Sequence, residues 1–208
     1  MDILRKTIVI AIVAFLGSTT IYAQNDFTNL QEAFSKSYKL EAQGDFKLAA
    51  DEIKMFYKEE SYEMNLRLGW LNYMAGNFNE SIAFYKKSME LMPYADEPRF
   101  GYIFTLSALG RWDEVIEMYN VILENSPHNT KAMYYLGTIY YNRSEFDKAL
   151  TNFKKIVDLY PFDYDGLLMY AWTNLKLGNK KEAKDLFQKV LLNKPNDASA
   201  LEGLTFLK

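Results

Sequence analysis

The sequence predicts an all-α chain of about five stacked helix–turn–helix pairs, closed by a short C-terminal helix. Three observations predict it. Pro93, Pro127, Pro161 and Pro195 are evenly spaced, with a 34-residue period. Gly76, Gly110, Ser144 and Gly178 keep the same interval. Between these breakers the apolar residues fall at helical spacing, which is the layout of helix, tight turn, helix and break.

The chain begins with another kind of segment. Arg5 and Lys6 precede an apolar run from Thr7 to Leu16, and a more polar stretch of mostly small residues ends at Ala23. This order reads as a secretory signal peptide over residues 1–23, cleaved after Ala23. The apolar run is roughly 10–15 residues, short of the ~20 that a spanning helix needs, so no membrane span is expected after cleavage. Retention as an anchor is the alternative. Residues 24–208 then form one helical-repeat domain, periplasmic or secreted.

Within that domain the pairs are expected near 30–61, 62–95, 96–129, 130–163 and 164–197, with a capping helix over 198–208. In the fourth pair Met133, Leu136, Gly137 and Tyr140 share one helix face, and Phe146, Ala149, Phe153 and Ile156 share another. Phe78, Ser81, Tyr85 and Ser88 repeat the second pattern, as do Trp112, Val115, Tyr119 and Ile122. Asn77 three residues before Glu80, and Asn179 three before Glu182, predict capping boxes. The first pair is offset from the second by slightly less than the full period. At the C-terminus Leu201, Leu204 and Leu207 predict the apolar face of the capping helix.

These residues resemble the tetratricopeptide repeat. Met133, Leu136, Gly137, Tyr140, Ala149, Phe153 and Pro161 match its pattern closely. Leu68, Gly69, Gly76, Ser81, Tyr85, Ser88 and Pro93 match it as well, and the segment from Tyr164 keeps Tyr170, Ala171, Gly178, Ala183, Phe187, Val190 and Pro195. The resemblance implies a right-handed α-solenoid whose small residues let paired helices approach, while Tyr85, Tyr119, Phe153 and Phe187 fill the wedges between pairs. Ile103 and Phe56 depart from it, standing where the family prefers small residues.

Composition narrows the function. The net charge is −3, with no basic field to attract a phosphate backbone, so nucleic acid is not an expected partner. There is no cysteine, which closes thiolate catalysis, thiolate metal sites and disulfides. The single histidine, His128, follows Pro127 in a turn with no second base or ligand at helical spacing. Asp163 and Asp165 before Gly166 lack the remaining oxygen ligands of a calcium loop and read as caps of the next helix. No cofactor, metal or enzymatic activity is expected.

If the pairs stack as the resemblance implies, their first helices line a concave face. The expected partner-binding residues are Phe34 and Tyr38, then Trp70 and Tyr73, then Phe100 and Phe104, then Tyr134 and Tyr141, and finally Trp172. Tyr38, Trp70, Phe104, Thr138 and Trp172 hold one equivalent position in all five pairs. Such a stripe either packs as core between helices or forms a groove for an extended or helical segment of another protein, and one residue can do both. The lysines and asparagines of a two-carboxylate clamp are absent at Phe34, Tyr38, Leu66 and Trp70, and only Arg67 and Lys131 offer positive charge nearby. The chain therefore reads as an exported scaffold for a protein or peptide, in an envelope assembly or secretion complex. A glycan or small-ligand binder, an accessory subunit of an envelope enzyme, and self-association are the competing readings.

Overall fold

The computed structural model describes residues 27–207, which contain eleven α-helices and no strand. The first helix occupies residues 27–42 (α1). It is followed by α2 (Phe46–Lys54), α3 (Tyr62–Met74), α4 (Phe78–Leu91), α5 (Glu97–Ala108) and α6 (Trp112–Asn125). Then come α7 (Thr130–Asn142), α8 (Phe146–Leu159), α9 (Tyr164–Lys176), α10 (Lys180–Asn193) and α11 (Ala198–Thr205). The expected all-α array of five helix pairs plus a terminal helix is present. The signal peptide expected over residues 1–23 lies outside the described residues. The chain divides within α5, after Thr105, into two compact units.

One turn geometry recurs in every pair. Gly44, Gly76, Gly110 and Gly178 have positive φ, between 69° and 84°, and Ser144 adopts φ 61° in the fourth pair. A residue in this region reverses the chain so that the last carbonyls of the first helix find donors. The amides of Asp45, Asn77, Arg111, Glu145 and Asn179 each bond the carbonyl five residues back, at 2.8–3.0 Å. The left-handed residue itself bonds the carbonyl three back, from Gly44 to Glu41 through Gly178 to Leu175. Ser144 pays the steric cost of a Cβ in this region, about 1 kcal/mol.

The break between pairs is made differently. Met92, Ser126 and Tyr160 end their helices at φ near −130°, outside the helical region, which a following proline disfavours for the residue before it. Four helices that follow a break between pairs are capped by a side chain: Ser61 Oγ accepts from Met64 N, Asn129 Oδ1 from Ala132 N, Asp163 Oδ1 from Gly166 N and Asp197 Oδ1 from Ala200 N. The expected capping boxes at Asn77 and Asn179 do not form, because neither side chain caps its helix. Each instead donates Nδ2 to an asparagine at the end of the preceding helix, Asn77 to Asn72 and Asn179 to Asn174. The tight turn already dictates the helix start there, and the asparagine pair ties its two sides together.

Inside each pair small residues admit large ones. In the first unit α2 packs on α3 and α3 on α4. Its core holds Ala49, Ala50, Ile53, Met64, Leu68 and Leu71. A Cβ on Gly69 would lie 2.8 Å from the Tyr85 ring, and one on Gly101 would lie 2.2 Å from it, so the ring is seated against both glycines. In the second unit α7 packs on α8, α8 on α9, and α9 on α10, with α11 against α9 and α10. Phe153 and Phe187 are fully buried there, each contributing about 2–3 kcal/mol of transfer free energy. Phe187 meets Gly203 of α11 as Tyr85 meets Gly101, with a hypothetical Cβ 2.2 Å away.

Two expectations are corrected. Phe56 is not on a helix face, since α2 ends at Lys54 and is only nine residues long, whereas Ile103 is buried in α5. The terminal helix packs Leu204 and Leu207 on the core of the last pair, as expected, but leaves Leu201 47% exposed; Ala200 and Gly203 are its fully buried positions. The close approach of Gly203 to Phe187 sets the rotation of α11 and turns Leu201 outward.

Candidate partner-binding face

In the first unit the expected face is an aromatic ladder. Seven residues separate Phe34 from Glu41, Leu66 from Tyr73 and Glu63 from Trp70, so each pair shares one helix face. Trp70 and Tyr73 have ring centroids 5.7 Å apart, and Tyr73 and Phe104 6.2 Å apart, which carries the ladder from α3 to α5. On α1 Phe34 and Tyr38 are 6.4 Å apart. Phe34 and Trp70 also pack on the core of this unit, so they are half core and half surface. Tyr38 is 55% and Phe104 37% exposed. Phe100 is half-buried on α5.

A buried cation holds the ladder in place. Arg67 is only 7% exposed. Its Nε and Nη2 donate to Ser37 Oγ at 3.3 and 3.0 Å, and its Nη1 donates to the Glu41 carboxylate. Its guanidinium carbon lies 3.9 Å from the centroid of the Tyr38 ring, a cation–π contact. Glu41 also accepts from Trp70 Nε1–H at 2.5 Å. Arg67, expected to offer charge to a ligand, is therefore an internal clamp between α1 and α3. Its planar fork and delocalised charge suit burial where a lysine would not. On the same helix Tyr62 donates its hydroxyl to Glu97, and burial together with that carboxylate pushes its pKa up to about 12.

The second unit holds the equivalent residues more tightly. Tyr134 packs edge-on against Phe153 at 6.1 Å, and burial, with Asp165 next, raises its pKa. Tyr141 meets Phe146 at 5.4 Å, and burial raises its pKa too. Thr138 interrupts the aromatic stripe and returns its hydroxyl to the Tyr134 carbonyl. Trp172 is the expected site residue most committed elsewhere. Its ring meets Phe187 at 5.2 Å and Phe206 at 6.2 Å, and its Nε1–H donates to Ser199 Oγ at 2.9 Å. Ser199 lies in α11 and Phe206 just beyond it, so the terminal helix packs against Trp172, which stays half-buried.

Sequence reasoning missed two further residues. Asn65 and Arg99, one full period apart, donate to equivalent carbonyls: Asn65 to Glu59 and Ser61, Arg99 to Pro93 and Ala95. The shared period was the available signal. Among the described residues no group of three or more His, Cys, Asp or Glu side chains could hold a metal, and no helix is long and apolar enough to cross a membrane. His128 is exposed in the turn before α7.

Two tetratricopeptide-repeat family models match this chain, one over residues 105–164 and one over residues 143–205. Among curated relatives, the TPR repeat-containing protein YpiA of Bacillus subtilis is 27% identical over 169 residues, 78% of this chain and 39% of YpiA. The CTR9 homolog of Arabidopsis thaliana is 23% identical over 128 residues, 61% of this chain and 12% of that protein. The chain thus matches well under half the length of either. Among solved structures, a tetratricopeptide repeat protein from Parabacteroides merdae superposes with a TM-score of 0.72 at 21% identity, covering 86% of this chain and 72% of that one. YrrB, a TPR protein with an unusual peptide-binding site, gives 0.66 at 14% identity, covering 90% and 97%. MamA from Desulfovibrio magneticus RS-1 gives 0.65 at 18%, covering 82% and 98%. Tetratricopeptide repeats are thus recognised in this chain, and its fold is that of the TPR solenoid proteins.

Proposed function

We propose that this chain is an exported tetratricopeptide-repeat adaptor that holds a segment of another protein, within an envelope assembly or secretion complex. The observation that carries the reading is the ring ladder Trp70, Tyr73 and Phe104 of the first unit, with Tyr38 beside it. These rings are fixed by packing on one side and meet solvent on the other, the arrangement of aromatic anchors in protein interfaces. The likeness to YrrB supports a peptide-like partner. Phe34 and Phe100 extend the face on α1 and α5, and Tyr134 and Tyr141 supply its counterpart in the second unit. Trp172 takes the lesser part, since α11 already engages it. Export rests on the pattern of residues 1–23.

The test is capture from an envelope extract. Replacing Trp70→Ala together with Phe104→Ala is expected to leave helical circular dichroism intact and to remove the captured partner. The wild-type chain recovered from the same fraction should begin at Gln24 on N-terminal sequencing. Undiminished capture by the double variant overturns the role of this face, and a chain that retains Met1 overturns cleavage.

A further inference from the structure

The aromatic face of the first unit has an acidic rim. Glu63 lies seven residues before Trp70 on α3, and Glu97 seven before Phe104 on α5, so each carboxylate stands on the helix face of its ring, about two turns away. Both glutamates are exposed. Glu63 accepts from Ser61 Oγ at 3.0 Å and Glu97 from the Tyr62 hydroxyl at 3.3 Å. Among the described residues neither is salt-bridged to a cation. Arg67, the basic residue of this face, is buried against Ser37, Tyr38 and Glu41 and turns no charge outward. A visiting segment therefore meets apolar rings beside uncompensated negative charge.

We infer that the first unit selects a basic segment, with apolar side chains on the rings and lysine or arginine side chains on Glu63 and Glu97. This rests on the reading of the face given above and adds the chemistry of its occupant. An acidic segment is opposed by like charge at both glutamates, whereas a basic one is steered toward them. Arginine has a second use here, because its plane stacks on exposed rings such as Tyr38 and Phe104. The preference belongs to the first unit: one period further on, the positions of Glu63 and Glu97 are taken by Glu97 itself and by Lys131, so the series changes sign.

A display library of random linear peptides, selected on the full chain, tests the inference. The selected pool should be enriched in Lys and Arg over Asp and Glu relative to the input, and its binding should weaken with added salt. On a Glu63→Gln, Glu97→Gln double variant, binding should fall about five- to tenfold. Both positions are exposed and glutamine keeps an acceptor for Ser61 and Tyr62, so the fold is preserved; circular dichroism checks this. A pool without basic excess, or a basic pool bound equally by the double variant, overturns the inference. A pool that needs Trp70 and Phe104 but shows no basic excess leaves the aromatic face standing and removes its charge preference. A pool indifferent to Trp70→Ala with Phe104→Ala removes the face itself, and an empty selection removes both.

Discussion

The two units build one periodic frame from different materials. In the first, polar side chains brace the interior. Asn65 and Arg99 hold the inter-pair turns, Arg67 clamps α1 to α3, and Ser81 bonds the Gly69 carbonyl and the Thr105 hydroxyl, each at 2.8 Å. In the second, the counterparts of Asn65 and Arg99 are Met133 and Leu167, and those of Ser81 are Val115, Ala149 and Ala183, all buried. An apolar position needs only a fit. A polar one needs a partner for each buried donor and acceptor, so it fixes geometry more narrowly and fails more abruptly when a partner is lost. The face proposed for binding lies on the braced unit, where directional bonds hold exposed rings in place.

The sharpest way to break the contrast is Arg67→Met, which gives the first unit an apolar side chain of similar reach. It leaves Glu41 and Ser37 without their common partner and takes the cation from the Tyr38 ring. Because Glu41 keeps some solvent, the cost should be about 2–3 kcal/mol, below that of a fully buried pair. Hydrogen exchange of the α1 amides should accelerate roughly 30- to 100-fold while α10 stays unchanged. Equal protection of α1 in the variant removes the clamp.

A milder exchange is Ser81→Ala, which copies Ala149. It takes the donor from the Gly69 carbonyl and should cost about 1 kcal/mol, read as a lower urea midpoint. A neutral result would mean that the polar braces are replaceable one at a time.

The smallest effect tests the polar pin of the second unit. The Tyr164 hydroxyl, 2.5 Å away, and the Ala200 amide hold the Asp197 carboxyl below the usual carboxylate range. A depressed pKa contributes stability above the unfolded value, and that stability is lost as pH falls through the folded one. Asp197→Asn should thus loosen α11 by somewhat under about 1 kcal/mol at neutral pH, since asparagine still caps. The difference from wild type should vanish as the medium is acidified below the ordinary carboxylate pKa. A gap independent of pH would assign the effect to shape rather than charge.

What was legible in the sequence was the set of features governed by the backbone. A residue that must take positive φ or impose an extended neighbour can be recognised without its surroundings, and Gly76, Gly110, Gly178 and the four prolines were. Ser144 was found only because the period pointed to it. The all-α pair architecture followed from those breaks. The destination of long polar side chains was not legible. Arg67 read as a surface charge because its partners, Ser37 and Glu41, lie on another helix, far back along the chain. Asn77 and Asn179 matched a local capping pattern, yet each bonds a residue five positions back. Trp172 shared a stripe with Trp70, but its surroundings depend on α11, which only the last pair has beside it.

The seat of the wedge rings carries a consequence for how such a chain can change. Residues 101, 135, 169 and 203, each one period from the next, are Gly, Tyr, Met and Gly. The Tyr85 ring enters the vacancy at Gly101, Tyr119 stacks flat on Tyr135 at 6.2 Å, and Phe187 enters the vacancy at Gly203. At these three junctions the following helix is cut to receive the ring before it. The modules share a rhythm without being interchangeable, and a duplicated or transposed one would arrive with a socket of the wrong depth. The order of the pairs along the chain is thus written into what stands at a single recurring position.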